Sequence, residues 1–347
     1  TPIMNIFLRQ ETTKTSEFTV HKFYRKTRTA VQGKYQLGRR QKIMTIINSE
    51  RQALTETRNP RTMYIDRVST REAVKIFIEE DRAVFKAVEA CSESITQAVE
   101  IVLAAFRKGG RLIYTGAGTS GRLGVLDASE CPPTFGVSSD MVMALIAGGE
   151  KAVTSAVEGA EDNVDAGRQD LEAINFSKND VLFGITASGT TPYVKGAIDH
   201  ARSLGAPTIL LTCNPYGELP DTDVLINPAV GPEVITGSTR LKSGTACKLV
   251  LNMISSISMI RMGKVFENLM VDLMATNIKL QKRAIRIVME GARVPNYIAE
   301  AKLQEAEGDV KLAIVMARSD LPADQARQKL NDAGGVLYRA LGETDHE

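Results

Sequence analysis

Two hydroxyl-rich turns and two acidic stretches hold the residues whose types and spacing suit chemistry. Tyr114-Thr-Gly-Ala-Gly-Thr-Ser-Gly-Arg-Leu123 and Gly184-Ile-Thr-Ala-Ser-Gly-Thr-Thr-Pro-Tyr193 each read as strand, turn, helix. A helix N-terminus leaves backbone N–H groups unpaired, glycine lets the backbone approach an anion, and Ser or Thr hydroxyls add directional donors. Both loops therefore suit a phosphate, and together they imply one phosphorylated small molecule. Gly116, Gly118 and Gly121 also satisfy G-x-G-x-x-G, a weak dinucleotide signal. A dinucleotide site wants an acidic residue closing the next strand. Here Val142 to Ala147 runs into Gly148-Gly149 before Glu150, several residues late.

The acidic stretches offer proton chemistry. Asp127-Ala-Ser-Glu-Cys-Pro-Pro133 places Glu130 just before two prolines, which predict the end of its helix. A glutamate at a helix C-terminus faces the negative end of the dipole, which favours the protonated form that a general acid needs. Glu158 and Glu161 in Val157-Glu-Gly-Ala-Glu-Asp-Asn163 are spaced i, i+3 and share one helical face if the helix continues. Like charges that close suit a base working near neutral pH when partly buried. A solvated face is the plain alternative for each. A third stretch, Gly231 to Lys248, packs Glu233, Ser238, Thr239, Arg240, Lys242 and Ser243 ahead of an apolar helix and offers donors to a sugar phosphate. A polar turn capping that helix through Ser243 explains fewer of these residues.

The elements that must position these groups alternate. Ser69-x-x-Glu72 is a capping-box signature opening a long helical region that breaks near Cys91 to Ser94 and stops at Gly109-Gly110. Strands are expected at 111–115, 142–147, 180–187, 207–213 and 224–227, and helices at 152–170, interrupted at Gly159, and at 192–204. That alternation is the signal for an α/β fold, a doubly wound parallel sheet flanked by helices. Both loops then lie at the carboxyl edge of the sheet, where such folds bind ligands. Residues 244–262 are apolar nearly all round, so that helix is expected in the core or at a subunit contact. Helical stretches at 295–308, 310–318 and 322–333 give a small all-helical C-terminal subdomain, 291–347.

Composition excludes several classes. The chain has 347 residues, 43% hydrophobic and 24% charged, with a net charge of +2, so neither disorder nor whole-chain nucleic-acid binding is indicated. Cys91, Cys131, Cys213 and Cys247 are far apart, which argues against disulfides or structural zinc and fits a reducing cytoplasm. His21, His200 and His346 are too few and too scattered for a metal site or a Ser-His-Asp triad, leaving proton transfer to carboxylates. No apolar run approaches the roughly 18 residues of a membrane span, so no membrane contact is expected. Residues 1–50 hold ten Lys or Arg against three Glu without apolar period, and read as a basic, disordered extension.

Taken together, Leu112 to Gly136, Ile146-Ala-Gly-Gly149, Val157 to Asp162, Ala187-Ser-Gly-Thr-Thr-Pro-Tyr193, Thr236 to Ala246 and Glu267-Asn-Leu-Met-Val-Asp272 resemble, in order, the N-acetylmuramic acid 6-phosphate etherases of the sugar isomerase (SIS) fold. The resemblance begins near Thr55 and runs to the C-terminus, leaving residues 1 to about 45 outside it. It implies an SIS catalytic domain over 55–290 and a UBA-like helical part over 291–347. It also implies cleavage of the D-lactyl ether of N-acetylmuramate 6-phosphate by elimination and then addition of water, with no metal and no cofactor, in a homodimer whose pocket the partner completes. By this resemblance Glu130 protonates the lactate oxygen and later activates water, while Glu161 acts at the C2 proton. Gly118, Thr119, Ser120, Ser188, Gly189, Thr190 and Thr191 surround the phosphate, with Glu233, Ser238 and Lys242 as further pocket residues. Thr190 stands where the family more often has arginine, which removes one cation from the phosphate site. The rival readings are a non-catalytic sugar-phosphate-sensing regulatory SIS protein and a sugar-phosphate isomerase. A sensor needs neither glutamate, and the Asp127 to Pro133 stretch favours the etherase over the isomerase.

Overall fold

The computed structural model describes residues 53–273 and 278–344; the basic segment 1–50 and His346 lie outside them. Helix α1 (Thr70–Glu89) starts at Ser69, whose hydroxyl accepts from the Glu72 N–H at 3.3 Å. Only that half of the capping box forms, because the Glu72 carboxylate pairs with Lys75 instead. A short break at Ala90–Cys91 leads into α2 (Ser92–Arg107).

Five strands then alternate with helices: β1 (Leu112–Gly116), α3 (Gly118–Phe135), β2 (Val142–Ile146), the short α4 (Lys151–Thr154), α5 (Val164–Ala173), β3 (Val181–Ile185), α6 (Pro192–Ser203), β4 (Thr208–Leu211) and β5 (Val224–Ile226). All pair in parallel in the order β2-β1-β3-β4-β5. The expected α/β, doubly wound sheet is therefore present. β1 and β3 are buried at every position, as strands covered by helices on both faces must be. One apolar cluster joins α1, α2, α3 and α7 (Lys242–Arg261) to the sheet; a second joins α5 and α6 to its other face. Arg111 and Asp180, at the amino-terminal ends of β1 and β3, form an ion pair at 2.9 Å. Burial alone would raise the Asp180 pKa, but the Arg111 guanidinium and backbone N–H bonds outweigh it and hold the carboxyl below its usual range.

Two expectations need correction. α7 is long and apolar enough, by length and composition, to cross a bilayer, because mostly small uncharged residues interrupt its apolar run and Lys248 is the one charge between its terminal residues Lys242 and Arg261. It packs instead as the central helix, with Val250, Leu251, Ile254 and Met259 at most 1% exposed. The prolines do not end α3 at Glu130 either. Pro132 and Pro133 remove two backbone donors, yet the helix continues to Phe135 because Cys131 and Phe135 are pinned in the core. It closes where the N–H of left-handed Gly136 donates to the Pro132 carbonyl at 2.9 Å.

The C-terminal part adds a two-stranded hairpin, β6 (Val265–Phe266) and β7 (Leu269–Met270), and helices α8 (Ile278–Ala292), α9 (Asn296–Glu305), α10 (Val310–Ser319), α11 (Ala323–Asp332) and α12 (Leu337–Ala340). They share an apolar cluster reaching from Phe266 to Ala340.

Candidate active site

β1 pairs directly with β3, so the two Ser/Thr/Gly loops emerge side by side at the carboxyl edge of the sheet. The glycines of the first loop divide their work. A Cβ on Gly121 would lie 2.6 Å from Ile146 Cγ1 and 2.7 Å from the Gly116 carbonyl, so this glycine lets α3 press onto β1 and β2. Gly118 takes φ +53° at the first position of α3 and is exposed. The G-x-G-x-x-G spacing thus serves strand–helix contact without demanding a dinucleotide. The Thr119 and Ser120 hydroxyls are half-buried and have no hydrogen-bond partner among the described residues.

The second loop is tied to itself. Thr186 Oγ1 and Thr191 Oγ1 share a 2.7 Å hydrogen bond, and Thr186 Oγ1 accepts from the Gly189 N–H at 3.2 Å. Ser188 Oγ accepts from Thr190 N–H and Oγ1 at 3.3 and 3.2 Å. Asn214, beyond the end of β4, donates through Nδ2 to the Ser188 and Tyr216 carbonyls at 2.9 and 2.7 Å and accepts from the Leu54 N–H at 3.1 Å. Gly189 sits at φ +80°, where a side chain would be strained.

On the other side of β1, a cavity of about 200 Å³ opens between the ends of β1 and β2, and Gly118, Arg122, Ala147, Val157, Glu158 and Glu161 contribute to its lining. Larger open hollows run along α1 and α8, away from both loops. Glu158 and Glu161 do not share a helical face as expected. Gly159 between them is left-handed at φ +71°, which ends helical geometry, and Glu161 lies in a single 3₁₀ turn, Ala160–Asp162. That turn still brings both residues to the lining of one cavity, where each is exposed rather than partly buried. Asn163 then caps α5 by accepting from the Ala166 N–H at 3.0 Å, and α5 is fixed to α6 by Tyr193 Oη donating to Asp170 at 2.6 Å. Burial first, and the Asp170 carboxylate second, push the Tyr193 phenol pKa up, so it stays a donor.

Arg122, one turn into α3, gathers the segment that leads to Glu161. Its Nε donates to the Ala152 and Val153 carbonyls and its Nη2 to the Ser155 carbonyl, each at 3.0 Å. These are carbonyls at the end of α4, where a cation is favoured.

Glu130 is exposed on the second half of α3 and does not line this cavity. It lies twelve positions after Gly118 and eight after Arg122, which at about 1.5 Å per residue is about 18 and about 12 Å along the helix. One turn before it, Asp127 is buried and accepts from Tyr114 Oη at 2.8 Å, Asn252 Nδ2 at 2.7 Å and Ser255 Oγ at 3.2 Å, tying α3 to β1 and α7. Burial, then Asp127, raise the Tyr114 pKa, and the same causes push the Cys131 thiol up to about 12.

Glu233 and Lys242 have no exposed surface, so neither faces a pocket as expected. Glu233 caps α7, accepting from the Lys242 N–H at 2.9 Å and from Ser243 N–H and Oγ at 2.9 and 2.7 Å; the cap is Glu233, not Ser243. Lys242 Nζ meets Glu80 of α1 at 2.8 Å, and Arg61 and Asn59 complete that carboxylate's partners at 2.6 and 2.8 Å. Burial pulls the Glu80 pKa up, but Lys242, Asn59 and Arg61 outweigh it and leave it lowered. Ser238 lies half-buried in the turn before α7, its N–H donating to the Ile235 carbonyl at 3.0 Å. The first turn of α7 abuts the first loop: a Cβ on Gly244 would lie 3.6 Å from Thr119 Cγ2.

Comparison with known proteins agrees with this architecture. Residues 94–202 match the family described as glucokinase regulatory protein N-terminal SIS domain. The chain is 56% identical over 291 residues to N-acetylmuramic acid 6-phosphate etherase 2 of Vibrio cholerae serotype O1, covering 84% of this chain and 95% of that one. It is 52% identical over 299 residues to N-acetylmuramic acid 6-phosphate etherase of Actinobacillus succinogenes, covering 86% and 98%. This chain belongs to the N-acetylmuramic acid 6-phosphate etherases. Among solved structures, a phosphoheptose isomerase from Neisseria gonorrhoeae overlays with TM-score 0.41 at 24% identity, over 55% of this chain and 98% of that one.

Arg122 and Asn214, which hold the segments on either side of β1, were not singled out in the sequence. Arg122 stands inside the quoted Thr-Ser-Gly-Arg-Leu motif as its lone cation, a signal that was available. Asn214 follows a strand at the same edge as both loops, and its polar side chain next to Pro215 was the only cue.

Proposed function

We propose that the protein cleaves the D-lactyl ether of N-acetylmuramate 6-phosphate, giving N-acetylglucosamine 6-phosphate and D-lactate, in recycling or catabolism of cell-wall amino sugars. The observation that carries this reading is the placement of Glu161 in a cavity at the N-terminus of α3, with the hydroxyl loop 186–191 on the other side of β1. An ether resists direct hydrolysis, but in the ring-opened sugar the C1 aldehyde acidifies the C2 proton. Glu161 removes that proton, the C2–H electrons form the C2=C3 bond, and the C3–O bond to lactate breaks. Glu130 protonates the departing oxygen, then takes a proton from the water that adds at C3, while C2 is reprotonated. Ser188, Gly189, Thr190 and Thr191, with Thr119 and Ser120 and the N-terminus of α3, hold the phosphate. No step in this scheme calls for a metal or redox cofactor, and the cytoplasm, where such a sugar phosphate is retained, is the compartment.

Glu130 lies eight positions beyond Arg122, the cavity residue nearest to it along α3, which is about 12 Å of helix, and it is absent from the lining of the cavity. We infer that Glu130 reaches the cavity of a second copy, making the working unit a homodimer. A non-catalytic sensor is the competing reading, favoured by the match of residues 94–202 to a regulatory-protein domain. Incubation with N-acetylmuramate 6-phosphate tests both. Lactate release by wild type, lost in Glu130→Ala while C2 hydrogen still exchanges with solvent, supports the assignment; binding without lactate release supports the sensor. Mixing Glu130→Ala with Glu161→Ala subunits should restore activity if each site draws on two chains, and restores none if it draws on one.

A further inference from the structure

The substrate proposed above carries two anions at opposite ends, the 6-phosphate and the carboxylate of the lactyl group on C3, and the edge of the sheet offers two stations separated by β1. The hydroxyl loop on the β3 side suits the phosphate. The cavity on the β2 side contains Glu161, which works at C2 next to the lactyl-bearing carbon, and one cation, Arg122. The three hydrogen bonds of Arg122 all go to neutral carbonyl oxygens, those of Ala152, Val153 and Ser155, and they use Nε and Nη2. No carboxylate among the described residues lies within ion-pair distance of it. It therefore has no direct ion-pair partner among the described residues, although Glu158 and Glu161 line the same cavity, and its Nη1 donors are unspent. A guanidinium held by its Nε and one Nη, with the other Nη open, is fixed in orientation and ready to receive an oxyanion.

We propose that Arg122 binds the carboxylate of the lactyl group and so selects the ether-bearing sugar over related sugar phosphates. This rests on the etherase reading. It gives the residue two linked tasks, since the same guanidinium that receives the leaving group's carboxylate also fixes the segment leading to Glu161. Binding the lactyl end then aligns the C3–O bond with the base through the segment that Arg122 holds.

The test compares N-acetylmuramate 6-phosphate with its carboxamide analogue, in which the lactyl carboxylate is replaced by a neutral amide, on wild type, Arg122→Gln and Arg122→Lys. A charge-assisted hydrogen bond lost on neutralising the ligand corresponds to roughly a tenfold to hundredfold drop in kcat/KM, so wild type should prefer the acid by that factor. Arg122→Gln should bring acid and amide to within about threefold of each other, and Arg122→Lys should keep part of the preference. Inhibition by N-acetylglucosamine 6-phosphate, which lacks the carboxylate, should be the same in wild type and Arg122→Gln. Equal rates of wild type on acid and amide overturn the proposal without needing any variant to fold. It is also overturned if Arg122→Gln slows both substrates equally with the preference intact, which marks a positioning role alone, or if the variant loses affinity for N-acetylglucosamine 6-phosphate, which assigns Arg122 to the phosphate. Absence of lactate release by wild type from the acid overturns the etherase reading itself, an outcome distinct from these.

Discussion

The two loops that look alike in sequence are built in opposite ways. The one after β3 is closed on itself by Thr186, Ser188, Thr190 and Thr191 and buttressed by Asn214, so its hydroxyls are fixed before any ligand arrives. The one after β1 leaves Thr119 and Ser120 unpartnered among the described residues, and spends its side-chain bonding one turn later, through Arg122, on the chain leading to Glu161. Similar residues thus give a loop held by its own hydrogen bonds on one side of β1 and an open cavity on the other, which the proposed function uses as phosphate anchor and as place of proton transfer. Preorganisation reduces the entropy lost on binding; openness leaves room for groups that must move protons.

The sharpest break of this comparison is kinetic. Glu161→Gln is expected to lower kcat for lactate release by about 10²- to 10⁴-fold with KM nearly unchanged. A rise in KM at intact kcat would mean that the cavity binds rather than reacts. In the anchor loop the split should reverse: Thr191→Val should raise KM about tenfold and leave kcat within a small factor, as removal of a binding hydrogen bond does. Because Thr191 also pairs with Thr186 at 2.7 Å, this variant should lose about 1 kcal/mol in urea unfolding, whereas Ser120→Ala should raise KM with no measurable loss of stability.

The paired glycines sharpen the contrast further. A Cβ on Gly189 would run into the tip of Leu219 and lie 3.1 Å from Thr212 Oγ1 in addition to the strain of φ +80°, so Gly189→Ala should cost about 2 kcal/mol. Gly118 has the same backbone demand but nothing within 4 Å, so Gly118→Ala should cost only about 1 kcal/mol. Equal costs would remove the distinction between a packed loop and an open one.

A last effect, read against pH, concerns the scaffold behind the first loop. Glu80 has its pKa lowered in the folded state, so its contribution to stability is complete above the unfolded carboxylate pKa and disappears as pH falls through the folded value. A Glu80→Gln variant should therefore show a shallower loss of stability between about pH 5 and pH 2 in acid-unfolding curves, at lower stability near neutrality. An unchanged acid limb would show that Lys242 and Arg61 do not hold that charge.

Much of the fold was legible because its signals are local. The runs Leu112 to Thr115, Val181 to Ile185 and Thr208 to Leu211 are apolar without alternation, which only a sheet covered on both faces accommodates, and Ser69 and Gly109 mark helix ends by their own chemistry. Where the reading failed, a longer-range contact decided. Pro132 and Pro133 break helices by local rule, but core burial of Cys131 and Phe135 carried α3 through them. Helical spacing put Glu158 and Glu161 together for the wrong reason; a left-handed Gly159 and the Arg122 bonds brought them to one cavity. Glu233 and Lys242 read as pocket groups because sequence gives their type but not whether a helix N-terminus or Glu80 already claims them.

The sequence by itself determined which residues able to transfer protons or bind phosphate exist, the alternation of strands and helices that sends both loops to one edge, and the family they mark. The tertiary structure alone decided that β1 lies between β2 and β3, which sets the two loops apart as anchor and cavity, and which carbonyls, caps and carboxylates each charged side chain meets. The division has a physical cause. Periodicity and turn chemistry act over a few residues, whereas a buried charge settles on whatever partner packing brings within about 3 Å, however far away it lies along the chain.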